Sequence, residues 1–307
     1  MVQVKIRTLN KSNLTKSLYL IYLMFLLLVN CFLIKLETKG NVNFEELEVQ
    51  IVPPAPSLGD TISVKVKRDK NKTNPPKIFF YKSKVPVFAL SDSFYRSLIP
   101  ISANFKAGDY PLEIYYLGKA KKIDLVIKDK KYPIESLTLK KEVAALRATR
   151  FERQQVAKAL STVSSKKFWN GKFIFPSDAR QSTCYGVKRK INGVIDPDYF
   201  HKGLDFAANT GDKVVSPEDG KIILAGRQTN SFVVNGNCIF IDHGHGVVSG
   251  YLHLSELLVK EGGFVNKGQI IGKVGSTGIA SGPHLHWGIY VFGKTVDPLV
   301  WTNMTIE

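Results

Sequence analysis

An almost uninterrupted apolar run from Leu18 to Ile34, closed by Lys35, is the first long pattern in the chain. Four basic residues precede it: Lys5, Arg7, Lys11 and Lys16. Such a run can just span a bilayer, which needs roughly 17 to 25 residues. Because no small-x-small cleavage motif follows it, an uncleaved anchor is favoured over a removed signal peptide. We predict a cytoplasmic basic segment over residues 1–16 and a transmembrane signal anchor over residues 17–35.

The charge ahead of this run predicts its orientation. Positive charge before a span keeps the N-terminus inside, which places everything after Lys35 outside the cytoplasm. Lipoprotein processing at Cys31 is the alternative, but Asn30 before it is larger than the small residue that such sites usually carry. Either outcome leaves a tethered protein.

Short β-branched and aromatic runs separated by turn residues fill the chain from about Asn41 to Lys131. The clearest runs are residues 47–52, 61–66, 77–80 and 112–116. In residues 61–66, polar and apolar residues alternate, which is typical of a half-buried strand. The regular spacing of the runs, with proline and glycine between them, predicts a small β-sandwich over residues 40–133.

A different composition, rich in Lys, Glu, Ala, Arg and Gln, extends from Leu139 to Val163. Apolar residues near helical spacing, with no glycine or proline, predict a linker helix within residues 136–166. We interpret its basic face as solvated surface.

Strand patterns dominate again from Phe168 onward, where glycine becomes frequent. The predicted strands are residues 213–215, 221–225, 238–242, 247–252, 269–274 and 284–291. All six histidines of the chain lie between His201 and His286. The fold class is therefore mainly β, with a second β domain over residues 168–302 that is a candidate for a metal site.

Composition narrows the function classes. The 307 residues are enough for more than one hydrophobic core. The formal charge of +17 favours anionic partners. No nucleic-acid-binding motif accompanies the dispersed lysines, so we predict no nucleic-acid partner. Of the three cysteines, only Cys184 and Cys238 lie in the folded part, and the sequence leaves their pairing open.

The histidines fall into three short patterns: His201-Lys-Gly-Leu-Asp205, Tyr251-Leu-His253 and His284-Leu-His286. Alternation along a strand puts His284 and His286 on one face, roughly 6 to 7 Å apart. His201 and Asp205 would be roughly 13 Å apart in a straight strand, so the chain must curve there. Gly203 between them permits a kink or a close backbone approach.

Two imidazoles and a carboxylate can hold a divalent ion with an open position for water, as zinc hydrolases require. Further imidazoles nearby can accept a proton and stabilise an oxyanion. Asp242-His243-Gly-His245 is a rival cluster, but the glycines beside its histidines favour a hairpin turn.

In their order and spacing, seven segments between about Phe173 and Trp301 resemble the lysostaphin-type peptidases, the M23 family of zinc-dependent peptidoglycan endopeptidases. They are His201-Lys-Gly-Leu-Asp205-Phe-Ala-Ala, Gly211-Asp-Lys-Val-Val, Gly236-Asn-Cys-Ile-Phe-Ile-Asp-His243-Gly, Tyr251-Leu-His253-Leu-Ser255, Gly268-Gln-Ile-Ile-Gly272, Gly275-Ser-Thr-Gly278 and Ser281-Gly-Pro-His284-Leu-His286-Trp. One mild departure is Cys184-Tyr185-Gly186, where many relatives have Phe-Gly.

The resemblance implies that His201, Asp205 and His286 bind Zn²⁺ and that His253 and His284 lie beside the catalytic water. It implies an antiparallel β-sheet peptidase domain with a groove for extended peptides. The expected function is zinc-dependent hydrolysis of peptide bonds in bacterial peptidoglycan stem or cross-bridge peptides. The protein would be attached to the inner (cytoplasmic) membrane, with its catalytic domain in the periplasm or cell-wall space.

The sequence also leaves alternatives for the function and for two of its segments. Some members of this family lack ligands and act only as activators of other wall hydrolases, so a catalytically silent wall-binding or activating protein is the alternative function. Segments beginning at Gly211 and Phe264 are similar to hairpins of biotinyl or lipoyl carrier domains, which would leave the histidines unexplained. Segments beginning at Pro56 and Gly108 resemble immunoglobulin-like modules that precede some of these peptidase domains.

Overall fold

The structure, a computed structural model, describes residues 47–306 of the chain. The predicted basic segment, the anchor over residues 17–35 and the alternative lipoprotein site at Cys31 lie outside the described residues. Among residues 47–306, no helix is both long and apolar enough to cross a membrane.

Two four-stranded antiparallel sheets make up the N-terminal region. Their strands are β1 (Val49–Val52), β2 (Thr61–Lys67), β3 (Lys77–Phe80), β4 (Ser83–Val85), β5 (Phe88–Ala89), β6 (Phe94–Pro100), β7 (Gly108–Tyr116) and β8 (Lys119–Ile127). The strand orders are β1-β2-β6-β5 and β4-β3-β7-β8. Apolar side chains from both sheets, among them Ile62, Val64, Ile78 and Leu112, form one core. The arrangement is that of a β-sandwich, and the likeness to immunoglobulin-like modules stays a prediction.

Residues 61–66 form a strand, as predicted, but its first half is not half-buried, because both faces of β2 are covered from Thr61 to Val64. Thr61 and Ser63 are each 1% exposed. The Trp301 indole Nε1 donates to Thr61 Oγ1 at 3.2 Å. Leu98 of β6, opposite Ser63, belongs to the C-terminal core. Thr61 and Ser63 therefore face the C-terminal region and not water, whereas Lys65 is half-buried and Lys67 is exposed.

The linker is only partly helical. It contains β9 (Ile134–Leu137), α1 (Lys141–Ala144) and α2 (Arg150–Leu160). The prediction of one linker helix over residues 136–166 was wrong, because the helix is interrupted at Thr149. The backbone of Thr149 is extended, and its side chain accepts a hydrogen bond from the Glu152 amide as the N-cap of α2. An N-cap residue has non-helical dihedral angles, so a new helix begins there.

The C-terminal region contains thirteen strands and a short helix. They are β10 (Arg180–Thr183), β11 (Lys188–Ile191), β12 (Val194–Ile195), β13 (Leu204–Ala207), β14 (Lys213–Val215), β15 (Gly220–Gly226), β16 (Asn237–Gly244), β17 (Val247–Leu254), β18 (Glu256–Leu257), β19 (Phe264–Val265), β20 (Ile270–Lys273), β21 (Leu285–Val291), β22 (Lys294–Val296) and α3 (Pro298–Asn303). The six strands that the sequence predicted here are all present, which confirms the mainly β fold class.

Three sheets organise these strands. The largest has the order β10-β13-β21-β17-β16-β15-β19, with β22 paired to β21. Two small sheets have the orders β14-β20-β18 and β12-β11-β9. Among the described strands every ladder is antiparallel except that of β9 with β11, which is parallel. Through that pairing the linker adds a strand to the C-terminal region.

Alternation along β21 separates the two faces of the large sheet. Leu285, Trp287 and Ile289 point into the main core. Tyr290 points to the other face, where it packs in a smaller cluster with Ala159 of α2. His286 shares that face with Tyr290 because side chains two or four residues apart lie on the same side. The linker helix thus covers part of the sheet face on which the histidines lie.

Candidate metal centre

Two neighbouring strands and the loop before them bring together the predicted metal ligands. Asp205 of β13 lies directly opposite His286 of β21 in the antiparallel register. His201 precedes β13, and the chain turns at Gly203 before the strand starts. A Cβ atom at Gly203 would collide with the Trp287 carbonyl oxygen and lie 2.9 Å from Nε2 of His286. Only glycine fits so close to β21, as the sequence predicted.

Three donor atoms converge at this point. Nε2 of His201 lies 2.9 Å from Oδ1 of Asp205 and 3.0 Å from Nδ1 of His286. Nδ1 of His286 lies 2.9 Å from the same carboxylate oxygen. The three residues are 1% to 8% exposed. Within the described residues, no other group of three or more His, Cys, Asp or Glu side chains is placed to share a metal ion.

The backbone fixes the tautomer of His201. Its Nδ1 donates to the carbonyl oxygen of Cys184 at 2.8 Å, so the lone pair of Nε2 faces Asp205 and His286. Metal-binding histidines usually donate their second ring nitrogen to a carbonyl or carboxylate in this way. The departure at Cys184 leaves this contact intact because the carbonyl, and not the thiol, makes it. Cys184 and Cys238 are both free.

Charge and burial favour deprotonated ligands. Burial of the Asp205 carboxyl opposes ionisation, but hydrogen bonds with His201 and His286 hold its pKa well below the usual range. Burial lowers the pKa of His286 to about 4. Near neutral pH the site therefore presents an ionised carboxylate and a neutral imidazole, the forms that bind a metal.

The donor set fits a zinc ion. A tetrahedral zinc ion with bonds of 2.0 to 2.1 Å separates its ligand atoms by about 3.3 Å. The observed separations of 2.9 to 3.0 Å require only a small opening. Acceptor atoms this close repel one another unless a proton or a cation lies between them. Two imidazoles and one carboxylate leave a fourth position open, which is the ligand pattern of catalytic zinc sites.

Arg189 is a site residue that the sequence reasoning missed. Its Nη2 lies 2.7 Å from Oδ2 of Asp205, the oxygen that faces away from the histidines. Arg189 is on β11, which pairs in parallel with β9, and lies opposite Glu135 in that ladder. No local motif marks it, because a pairing between segments about fifty residues apart places it there.

His253 is held in a strained conformation at a β-bulge. The register of β16 with β17 shifts between Asn237 and Ile239, which leaves Leu252 and His253 opposite the single residue Cys238. The φ angle of His253 is +66°, in the left-handed region that non-glycine residues rarely adopt. Bulges of this kind re-aim side chains beside active sites. The Nδ1 atom of His253 donates to the Thr277 carbonyl at 2.8 Å, so Nε2 is the acceptor nitrogen.

The fifth predicted residue, His284, is adjacent. Its ring centroid lies 4.8 Å from that of His253, and its Nε2 lies 3.9 Å from Oδ1 of Asp205. Its Nδ1 donates to the Gly282 carbonyl at 2.9 Å. Burial, reinforced by His284 and His286, lowers the pKa of His253 to about 3. All five predicted residues thus lie together, and the roles assigned to them remain predictions.

The rival cluster forms the predicted hairpin turn between β16 and β17. His243 donates from Nδ1 to the Asp219 carbonyl and bonds Ser249 Oγ through Nε2. His245 accepts Nη2 of Arg96 at Nδ1 and donates from Nε2 to Ser165. Each ring nitrogen is occupied by a protein partner, so this pair has no lone pair to offer a metal ion.

An open groove of about 670 Å³ contains the centre. The histidines at positions 201, 253, 284 and 286 line it, and so does the linker, through Glu135, Leu137 and Leu160. Sequence reasoning treated the linker only as a connection. In the sequence, only the apolar residues of α2 indicated that the linker packs against the C-terminal region.

Comparison with known proteins places this site in a family. Residues 199–298 match the family model of Peptidase family M23. The chain is 40% identical over 111 residues to the peptidoglycan DD-endopeptidase ShyA of Vibrio cholerae, which covers 36% of this chain and 25% of ShyA. It is 41% identical over 120 residues to the DD-carboxypeptidase/endopeptidase Mpg of Neisseria meningitidis, which covers 39% of this chain and 26% of Mpg. The chain therefore matches about a quarter of the length of these relatives.

A solved structure extends the likeness beyond the matched residues. A protein described as a peptidase M23 from Pseudomonas aeruginosa superposes with a TM-score of 0.59 at 26% identity. The superposition covers 82% of this chain and 96% of that one. The site geometry and the family match agree on the same residues. Residues 199–298 of this chain are a Peptidase family M23 domain.

Proposed function

We propose that this chain is a zinc-dependent endopeptidase that hydrolyses peptide bonds in the stem or cross-bridge peptides of bacterial peptidoglycan. One observation carries the proposal. Three metal-binding atoms converge in an open groove of an M23 domain, with two further imidazoles beside them. A structural metal site is closed by four protein ligands, whereas this one has three and faces the groove.

His201, Asp205 and His286 would hold the ion through Nε2, Oδ1 and Nδ1. Zinc at this position supplies a Lewis acid for a peptide carbonyl and lowers the pKa of a bound water to about 7. The Arg189 guanidinium keeps Asp205 oriented, since it pairs with Oδ2 and leaves Oδ1 toward the histidines. Such outer partners fix the geometry of ligands.

His253 and His284 are proposed to handle protons and developing charge. In His253 the Nδ1 proton is committed to the Thr277 carbonyl, so a proton from the attacking water would be accepted at Nε2. Burial lowers the pKa of His253, which keeps its imidazole neutral near pH 7. His284 faces the same space with its Nε2. Because its Nδ1 already donates to the Gly282 carbonyl, it would donate from Nε2 to the oxygen of the scissile carbonyl with both ring nitrogens protonated. The two imidazoles thus divide the acid and base work.

The relatives suggest the substrate. ShyA is named a peptidoglycan DD-endopeptidase and Mpg a DD-carboxypeptidase/endopeptidase. The D,D bond of a cross-link is therefore the first substrate to test for this chain. An open groove lined by strand, helix and loop residues can admit an extended peptide.

The test is digestion of purified peptidoglycan by the full-length chain in detergent, followed by mass spectrometry. Bound zinc is measured on the same sample, and a chelator-treated sample serves as the metal-free control. We expect about one zinc per chain and new peptide termini that disappear with the chelator and in H253A. The new termini identify the bond.

Two outcomes would contradict the proposal. No bound zinc would remove its chemical basis. Zinc without cleavage would favour the alternative of a silent wall-binding protein or an activator of other hydrolases. That alternative further requires that H253A retain the full effect of the wild type on other hydrolases.

We also propose that residues 17–35 anchor the chain in the cytoplasmic membrane with the M23 domain outside it. The support is the apolar run and the basic residues ahead of it. In fractionated cells the protein should remain in the membrane pellet at high salt and be degraded by protease added to spheroplasts. Recovery in the soluble fraction without detergent would contradict the anchor.

A further inference from the structure

We infer that Glu152 of α2 is a positioning residue that holds the loop of residues 233–235 and, through it, the conformation of His253. Glu152 lies outside the matched range of residues 199–298. The inference rests on the proposed function for its catalytic consequence, but its structural part can be tested without catalysis.

The carboxylate of Glu152 binds three consecutive backbone amides. It accepts from Val233 at 3.0 Å, from Val234 at 3.2 Å and from Asn235 at 2.7 Å. The residue is 1% exposed. Burying a carboxylate is costly unless it is fully hydrogen-bonded, and bonds from amides to an ionised acceptor are strong. The loop is therefore fixed by one side chain of the linker helix.

This loop contacts His253 directly. The Asn235 carbonyl accepts the backbone amide of His253 at 3.0 Å. That is the residue whose φ angle of +66° requires support from its surroundings. Without the contact the backbone can relax, and the imidazole would leave its place in the groove.

A second route reaches the side chain of His253. The Val234 carbonyl accepts the amide of Ile279 at 2.9 Å, in the loop that also contains Thr277. The Thr277 carbonyl is the acceptor for Nδ1 of His253. A Cβ at Gly278 would collide with Val234, so the two loops are in tight contact. The backbone and the ring of His253 thus both depend on the loop that Glu152 holds.

The metal ligands are independent of this loop. His201 and His286 bond to Asp205, His201 bonds to the Cys184 carbonyl, and Asp205 pairs with Arg189. None of these contacts involves residues 233–235. Loss of the Glu152 carboxylate should therefore impair His253 while the three donors stay in place.

Sequence alone gives Glu152 another role. Thr149 and Glu152 have the Thr-x-x-Glu spacing of a capping box, in which the glutamate returns to the amide of the cap residue. The threonine half is present, since Thr149 Oγ1 accepts the Glu152 amide at 3.0 Å. The glutamate carboxylate instead goes to the loop.

The test compares E152Q with E142Q by hydrogen exchange, zinc content and peptidoglycan cleavage. Glutamine keeps the volume of residue 152 but removes its charge and turns one acceptor into a donor facing amide donors. The control, Glu142, is an exposed residue of α1. In E152Q we expect amides 233–235 to exchange at least about 10-fold faster, as loss of a hydrogen bond to a charged group implies. Amides of residues 244–247, at the turn between β16 and β17, should be unchanged.

The catalytic measurement compares kcat with KM and zinc content, because loss of positioning should lower kcat alone. E152Q should keep the zinc content of the wild type and a KM within about twofold, and lose about 10-fold or more in kcat. E142Q should match the wild type in all three. E152D keeps the charge but draws the carboxylate back by one methylene, so it should lie between the wild type and E152Q. If E152Q does not fold, E152D carries the same comparison.

Several results would overturn the inference. Unchanged exchange at residues 233–235 would show that the carboxylate does not hold the loop. Zinc loss, or faster exchange throughout the protein, would make Glu152 a general stabilising residue. If the wild type does not cleave peptidoglycan, the proposed function fails, whereas the exchange measurement still decides whether Glu152 fixes the loop.

Discussion

Two pairs of histidines in this chain have the same His-x-His spacing and opposite surroundings. His284 and His286 lie in the groove, where one ring nitrogen of each faces Oδ1 of Asp205, at 3.9 Å and 2.9 Å respectively. His243 and His245 lie at the β16–β17 turn, where every ring nitrogen has a protein partner. The spacing therefore does not make a metal site. What matters is whether the fold leaves lone pairs converging and unoccupied.

The largest expected effect separates the two pairs by metal binding. D205N removes the negative charge at the point where three donors meet, so zinc affinity should fall by more than the roughly 100-fold typical for loss of an outer partner. H243Q should bind zinc as the wild type does, because its ring is committed to Asp219 and Ser249. Zinc titration against a competing chelator measures both. Equal affinity in D205N and the wild type would refute the ligand role of Asp205.

The second effect separates binding from catalysis within the groove. H253A should retain zinc, since His253 is not among the three donors, but lose roughly 10²- to 10⁴-fold in kcat as a general base does. Cleavage of a defined cross-linked muropeptide measures the loss. H245Q is the matched control, and its kcat per folded molecule should be unchanged. A fully active H253A enzyme would remove His253 from the mechanism.

A smaller effect on zinc affinity is expected at Arg189, which contacts the Asp205 oxygen that does not face the histidines. R189M keeps an unbranched side chain and removes the pairing to Oδ2, so zinc affinity should fall about 10-fold, at the low end for outer partners. K190M, at an exposed position next to it on β11, is the control. Equal affinities in R189M and K190M would show that the 2.7 Å contact does not orient the ligand.

The smallest effect concerns stability and the hairpin pair. Burial lowers the pKa of His243 from 6.5 to about 4. Between these values the unfolded chain binds the proton and the folded chain does not, so the free energy of unfolding falls as pH drops from about 6.5 to 4. One such group contributes at most about 1.4 kcal/mol per pH unit. In urea unfolding of the metal-free proteins, the free energy of unfolding should depend less steeply on pH in H243Q than in the wild type. An equal pH dependence would show that His243 does not have a lowered pKa in the folded protein.

Local patterns in the sequence were enough to predict six strands of the C-terminal region and to single out the five groove residues. Period-2 alternation placed His284 and His286 on one face, and the glycine between His201 and Asp205 indicated the close approach that β21 makes. The glycines around His243 and His245 correctly indicated a turn. Each of these inferences depends on residues within a few positions of one another.

Other features depend on contacts between distant segments and could not be read locally. Arg189 reaches Asp205 because β11 pairs with β9, and Glu152 reaches its loop across about eighty residues. The alternation of β2 suggested a solvent face, but the C-terminal region covers the first half of that face. The composition of the linker favoured one helix, whereas the extended backbone of Thr149 divides it.

The parallel pairing of β9 with β11 limits where this chain can be cut to join its C-terminal region to another protein. A fusion joined at residue 199, where the family match begins, would include the three predicted zinc ligands but would lack β9, β11 and α2. Arg189 and Glu152 would be lost with them. A junction that keeps Arg189 and Glu152 together with the predicted zinc ligands lies before Ile134, so the segment to be transferred is longer than the matched residues 199–298.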